Sequence, residues 1–384
     1  MASIRDVARQ AEVAIGTVSR VLNGGSHVTD LTRQRVQKAI KELGYKPNPA
    51  ARALRSNRTH LIALTLPELT NPFYAAIVEG VRQVFEPADF RLVLCSPNSS
   101  NNAVPQYIDM LANRYIDGLI VVFDRFSAAD NNSIALFRLG RKGFPIVALG
   151  PGVASDKPDF DCITSQVPEG LKEAMQHLVE MGHREIAYFG PLKGVVEARL
   201  QAYRTALARH KIKIADSLIF RGETTLESGF SRAEELFQRQ RRPTAIVAVN
   251  DMVAIGAMMA LQEHGVSIPE EMSIVGIDDI PLASMVHPTL TTVFQPKEAM
   301  GRLAAERLLG RIEKRINSFS AIALSSQLIV RESTGPAPNF RPTTNGQPSA
   351  ASAQNETMGK RRTLKVEEAA FKDQGNCIQR QRAD

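Results

Sequence analysis

From residue 61 onward, short apolar runs rich in Val, Ile and Leu recur at helix-length intervals. That alternation restricts the chain to an α/β architecture. The runs fall at residues 61–66, 91–95, 118–123, 146–149, 186–189, 244–249 and 273–277, with amphipathic stretches such as 72–85 and 251–264 between them. Continuously apolar strands are covered by helices on both faces, so parallel, doubly wound sheets are predicted. Roughly 270 residues suffice for two such sheets, and a ligand belongs where the carboxyl ends of their strands face each other.

The first 46 residues follow a different pattern, that of three short helices. Ser3 and Asp6 are spaced as a capping box, and Val7, Ala8 and Ala11 then form an apolar stripe. A break at Glu12-Val13 precedes a helix over 15–22, with Val18, Val21 and Leu22 on its buried face. Thr29-Asp30 opens a third helix, Val36, Ile40 and Leu43 line it, and Gly44 stops it. Residues 47–60 carry two prolines and then about two helical turns, too few to be stable alone in water. This hinge is expected to order only against a partner. Beyond residue 335 the chain is rich in Pro, Ser, Gln and Asn and then in charge, so 336–384 reads as a disordered tail. Its Lys360-Arg361-Arg362 reads as part of a solvated tail, with weak nucleic-acid affinity as the alternative.

Charge is segregated in the same way. Residues 1–60 hold eleven Lys/Arg against four acids, an excess equal to the whole chain's +7. A compact basic segment on a neutral body is the footprint of a polyanion binder, or else merely a solvated basic surface. No apolar run approaches the ~20 residues of a membrane span. The N-terminus shows no export signal, and Cys95, Cys162 and Cys377 form no CxxC, so a cytoplasmic, nucleoid-associated protein is expected. No GxGxxG after a strand, P-loop, GxSxG or HExxH occurs, so neither enzyme activity, catalytic residue, cofactor nor metal is expected.

Ile4-Arg5-Asp6-Val7-Ala8, Thr17-Val18-Ser19-Arg20-Val21-Leu22-Asn23, Leu43-Gly44-Tyr45 and Pro47-Asn48 together resemble the DNA-binding head of the lactose-repressor (LacI/GalR) family. The likeness continues through Asn71-Pro72-Phe73-Tyr74, Asp117-Gly118, Gly182-His183-Arg184, Arg199-Leu200, Asn250-Asp251 and Gly276-Ile277-Asp278-Asp279. It ends with Pro288-Thr289-Leu290-Thr291-Thr292-Val293 and Arg331-Glu332-Ser333-Thr334. The resemblance implies an all-α helix-turn-helix head (1–46), a hinge (47–60) and a periplasmic-binding-protein-like sensor (61–335) of two doubly wound parallel-sheet subdomains. It also implies a sequence-specific transcription regulator, a repressor controlled by a small-molecule effector.

By that resemblance Ile15, Gly16, Thr17, Arg20 and Asn23 face the major groove. Arg20 suits two parallel hydrogen bonds to guanine, or else a phosphate contact. Leu54 matches a wedge that enters the minor groove from the hinge, flanked by Arg52 and Arg55; packing against the core is the alternative. Asn71, Phe73, Tyr74, Arg199, Asn250 and Asp278 match effector contacts; an interdomain salt bridge without ligand is the alternative for Arg199 and Asp278. The partners implied are a pseudo-palindromic double-stranded operator, an effector and a second copy of the chain, with no membrane. No leucine heptad follows residue 335, which favours a dimer over a tetramer.

Two departures weaken the head: Glu12 stands where the family has Gly, and Ala14 where it has a capping Ser. Operator affinity of the isolated head is therefore expected to be modest. Many relatives carry an aromatic near Thr224 and an acid near Gly150 and this chain carries neither, so a more open or less polar pocket is expected. The effector implied by the resemblance is a sugar or sugar derivative, with a purine or nucleoside as the alternative. A solute-binding protein of transport remains the rival from another class, fitting residues 61–335 but not the basic head.

Overall fold

The computed structural model describes residues 2–22, 28–46, 58–96, 103–122, 131–150, 160–191, 197–239 and 242–338. The expectations for Asn23, for the hinge over 47–57 with Arg52, Leu54 and Arg55, and for the tail from residue 339 lie outside the described residues.

The head consists of α1 (Ile4–Gln10), α2 (Ile15–Leu22) and α3 (Asp30–Glu42). The capping box forms: Ser3 Oγ accepts from the Asp6 amide at 3.3 Å, and the Asp6 carboxylate accepts from the Ser3 amide at 2.9 Å. Thr29 caps α3 through the Thr32 amide, and Gly44 leaves the helix at φ +57. The head's core is built from small side chains: Val7, Ala8, Ala11, Val18, Val21, Val36 and Ala39.

The sensor follows in the order β1 (Leu61–Thr65), α4 (Pro72–Phe85), β2 (Arg91–Cys95), α5 (Ala103–Ala112), β3 (Gly118–Val122), α6 (Asn131–Arg141), β4 (Ile146–Leu149) and β5 (Asp161–Ser165). Next come α7 (Val167–Glu180), β6 (Ile186–Phe189), α8 (Glu197–Arg209), β7 (Ile219–Phe220), α9 (Leu226–Phe237), β8 (Ala245–Ala248), α10 (Asp251–Glu263) and β9 (Ser273–Asp278). The chain closes with β10 (Thr291–Phe294), α11 (Lys297–Ile312), β11 (Ala321–Leu324) and β12 (Gln327–Ile329). One sheet has the order β11-β5-β4-β3-β1-β2 and the other β12-β10-β9-β8-β6-β7.

Each apolar run expected to be a strand is one, within a residue or two. Strand alternation sorts the first sheet's side chains into two cores. Ile62, Leu64, Ile120 and Val147 join Ile77, Phe85 and Leu308 on one face. Ala63, Leu119, Val121 and Ala148 join Ile108 and Leu136 on the other. The second sheet shares one continuous core with α7 to α10.

The chain crosses between the subdomains three times: from β5 to α7, from β10 to α11, and from β11 to β12. Ser165 ends β5 and bonds Gln295, which follows β10, so the carboxyl ends of the two sheets meet there. The third crossing has no helix to reverse it. β12 therefore enters the second sheet from its carboxyl edge and pairs antiparallel with β10. This is the one departure from wholly parallel sheets among the described strands.

Two helix pairs pack at close range through glycine. A Cβ at Gly80 of α4 would lie 2.1 Å from the Glu298 carbonyl oxygen, and one at Gly301 of α11 2.2 Å from that of Ile77. Gly229 of α9 and Gly256 of α10 form the same arrangement in the other subdomain. At the base of the first subdomain Asp161 is fully buried, where it accepts from Arg307 at 2.6 and 3.0 Å and from Arg311. Both guanidiniums also reach the Ser318 carbonyl, which pins the loop that returns β11 to β5. Ala337 is buried and its amide donates to the Met181 carbonyl, so ordered packing continues to the end of the described chain. Among the described residues no helix is long and apolar enough to cross a membrane.

Candidate functional site

Two surfaces carry the expected chemistry. On α2 the periodicity turns Val18 and Val21 into the head's core and leaves Ile15, Gly16 and Arg20 exposed. Ile15 keeps 43% of its surface open, high for an isoleucine, and nothing lies within 4 Å of a Cβ built on Gly16. Thr17 is half-buried between the two faces. The first turn of α2 is thus a shallow, accessible ridge with a cation one turn along it, the shape that a major groove accepts. Just before it, Glu12 sits at φ +54, in the left-handed region where glycine is at ease. The departure at this position thus places a non-glycine in a strained turn. The α2 backbone starts at Ala14, whose carbonyl accepts from the Thr17 and Val18 amides and whose methyl can cap nothing.

Where the chain enters the sensor, Asp117 holds it. Its carboxylate accepts from the Thr59 amide at 2.8 Å, the Thr59 hydroxyl at 3.0 Å and the His60 amide at 2.8 Å. Sequence reasoning noted Asp117-Gly118 as a motif without finding this role.

The second surface lies at the carboxyl ends of the strands. Asn71 follows β1 and is buried as the N-cap of α4, its Oδ1 accepting from the Phe73 amide at 3.0 Å. Phe73 packs against the cores of both subdomains and meets Tyr74 edge-on at 5.2 Å. Across from them Arg199, Asn250 and Asp278 are gathered. The Arg199 guanidinium donates to the Val249 carbonyl and faces Asp278 Oδ1 at 3.6 Å. Asn250 caps α10 through the Val253 amide at 2.9 Å and donates to the Thr224 carbonyl at 2.8 Å. Arg199 and Asp278 do pair with each other, but within one subdomain rather than between the two. Both asparagines spend side-chain groups on helix ends, which fixes their orientation.

Asp278 itself is backbone-strained, at φ +123 with Asp279 at +53. Burial lifts its carboxyl above the ordinary range, and Arg199 and a hydrogen bond from Gln295 pull it partly back. Beside it Asp251 is completely buried, accepting from the Ile280 amide at 2.8 Å and the Thr292 hydroxyl at 2.5 Å. Burial and the neighbouring Asp278 charge raise its carboxyl too. Lys297 donates to the Asp278 and Asp279 carbonyls, and Arg331 bonds Asp279 at 2.6 Å. Sequence reasoning missed the roles of Asp251, Gln295 and Lys297, whose partners are distant in the chain. Gly150 follows β4 at φ +136, a conformation that disfavours any side chain there.

A basic helix-turn-helix joined to a two-lobed sensor with polar groups at its strand ends defines an effector-controlled DNA-binding regulator. Residues 3–48 match the model for bacterial regulatory proteins of the lacI family, and residues 175–334 match a periplasmic binding protein-like domain. The chain is 32% identical to the HTH-type transcriptional repressor PurR of Vibrio cholerae, over 86% of this chain and 98% of that one. It is 33% identical to the ribose operon repressor of Haemophilus influenzae, over 87% and 98%. A solved structure of the lac repressor dimer bound to operator and the anti-inducer ONPF aligns with a TM-score of 0.77 and 29% identity, over 87% of this chain and 99% of that one. The chain belongs to the lacI family of bacterial regulatory proteins and is a DNA-binding repressor under effector control, which sets aside the solute-binding reading.

Proposed function

We propose that two copies of the chain bind a pseudo-palindromic operator in the cytoplasm, and that a sugar or sugar derivative held between the subdomains changes operator affinity. The observation that carries the effector half is the Arg199–Asp278 pair beside Asn250. A guanidinium next to a carboxylate offers donors and acceptors at the spacing of vicinal hydroxyls. Phe73 and Tyr74 supply apolar faces from the opposite lobe, with Asn71 fixing the turn that carries them.

For the operator half, Ile15, Gly16, Thr17 and Arg20 meet base edges, with Arg20 on guanine. Asn23 and the hinge residues Arg52, Leu54 and Arg55 are assigned to DNA by family resemblance, Leu54 as the minor-groove wedge. Met259, Leu282 and Met285 are exposed apolar side chains on the second subdomain, of the kind a second copy would cover. Gln262 holds α10 against this turn by donating to the His287 carbonyl at 2.6 Å.

The test selects operators from random duplexes with the full-length chain and measures binding by fluorescence anisotropy across a salt series. D-ribose, ribose 5-phosphate and hypoxanthine are then titrated into the complex. Steep salt dependence with strong preference for the selected sequence is expected, and a sugar should shift the operator Kd at least fivefold. Binding without sequence preference rejects the operator half, and a shift by hypoxanthine alone rejects the sugar assignment.

A further inference from the structure

Gln295 lies in the crossing between β10 and α11, is buried, and engages both ends of its side-chain amide. Its Nε2 donates to Asp278 Oδ1 at 2.6 Å, and its Oε1 accepts from the Ser165 hydroxyl. Asp278 ends β9 in one subdomain, and Ser165 ends β5 in the other, at the crossing into α7. Lys297, two residues along the same crossing, donates to the Asp278 and Asp279 carbonyls at 2.9 and 2.6 Å. Two of the three crossings are therefore tied, side chain to side chain, to one aspartate. That aspartate and its neighbour both hold a backbone conformation that persists only where surroundings over-determine it.

We infer that Gln295 is a positioning residue that couples Asp278 to the crossing at Ser165, and thereby sets the arrangement of the two subdomains that governs operator affinity. This inference rests on the reading of Asp278 as an effector contact. Oδ1 of Asp278 serves both Arg199 and Gln295. A ligand hydroxyl that donates to this oxygen competes with the amide. A planar amide released at one end leaves a buried N–H unpaired, so the side chain must turn, and Ser165 then loses its acceptor. The event at Asp278 is transmitted to the first subdomain through one rigid group, and interfaces of packed lobes respond to such shifts by switching between discrete arrangements.

The experiment is a double-variant cycle on the full-length protein without any small molecule, using an operator selected by the wild type. Gln295→Leu and Ser165→Ala are each expected to change the operator Kd at least threefold, in the same direction. The combined variant should change it no further than the larger single one. Ser165→Ala removes a single hydroxyl, so it remains informative where Gln295→Leu fails to fold. An unchanged Kd in Ser165→Ala, or additive effects in the pair, overturns the relay and leaves Gln295 a packing residue. The effector reading is tested apart from this: D-ribose, ribose 5-phosphate and hypoxanthine are titrated calorimetrically into wild type and Asp278→Asn. A compound that binds both equally removes Asp278 from the effector contacts, while the operator cycle decides the relay on its own.

Discussion

The head and the sensor solve the same packing problem with opposite resources. The head encloses a core of valines and alanines, leaves an isoleucine in solvent and holds Glu12 in a left-handed turn. The sensor fills continuous cores on its sheets and buries whole clusters of charge, Asp161 with two arginines and Asp278 with Arg199. A small core with an exposed reading face has little packing to spare and keeps its chemistry on the outside. A dense core can instead hold unfavourable charge in place, and there a ligand has something to rearrange. The contrast teaches that recognition by the head depends on what stays outside, and sensing on what is kept inside.

The largest expected effect lies in the sensor. Asp161→Ala leaves two partly buried arginines without their acid, and a loss of about 2–4 kcal/mol is expected, somewhat below that of a fully buried orphaned charge. Urea unfolding followed by fluorescence or circular dichroism checks this. A loss below about 1 kcal/mol would mean that the Ser318 carbonyl alone holds the arginines, and the contrast between the two regions would weaken. Next comes Arg20→Ala in the head, which should cost ~1–3 kcal/mol of operator discrimination while leaving the melting temperature unchanged. A fall in melting temperature would show Arg20 to be structural.

Smaller effects sharpen the head's side of the comparison. Glu12→Gly relieves the left-handed turn, and Ala14→Ser restores an acceptor for the free amides of α2; each should add about 1 kcal/mol to the head. Thermal unfolding of each single variant measures it, and no gain from either would show that the turn is already relaxed. The smallest effect is a pH dependence of the sensor. His183 is fully buried between Thr244 and the Gly335 carbonyl, and burial holds its pKa below the ordinary value. The unfolded imidazole takes a proton below about pH 6.5 while the folded one resists. Its contribution is thus complete above that value and declines as the pH falls. Between pH 7.5 and 5.5 wild type should lose roughly 1 kcal/mol more than His183→Gln, and equal losses in urea titrations would assign the slope elsewhere.

How much of this was legible in the sequence also differs between regions. The head's capping box, stripe and stop are local signals, and each formed as read. The apolar strands β1, β3, β4 and β8 were equally plain. Strand β5 escaped because it opens on Asp161, whose arginines stand 146 and 150 residues away. Strand β10 escaped because Thr291 and Thr292 look like loop residues until Thr334 and Asp251 satisfy them from a distance. Resemblance supplied Arg199, Asn250 and Asp278, but nothing local distinguishes Gln295 from any polar residue before a helix. Its role exists only once the two sheets meet.

The pairing of β11 with β5, and of Arg311 with Asp161, has a consequence for how the chain is made. As the protein leaves the ribosome, Asp161 emerges 150 residues before Arg311. At ~5–20 residues per second, that is roughly 8–30 s of synthesis. Throughout that interval the first sheet lacks its edge strand and the buried carboxylate lacks its cations. The amino-terminal lobe can be completed only after nearly all of the other lobe has been translated, so the lobe that is begun first gains almost no lead in being finished.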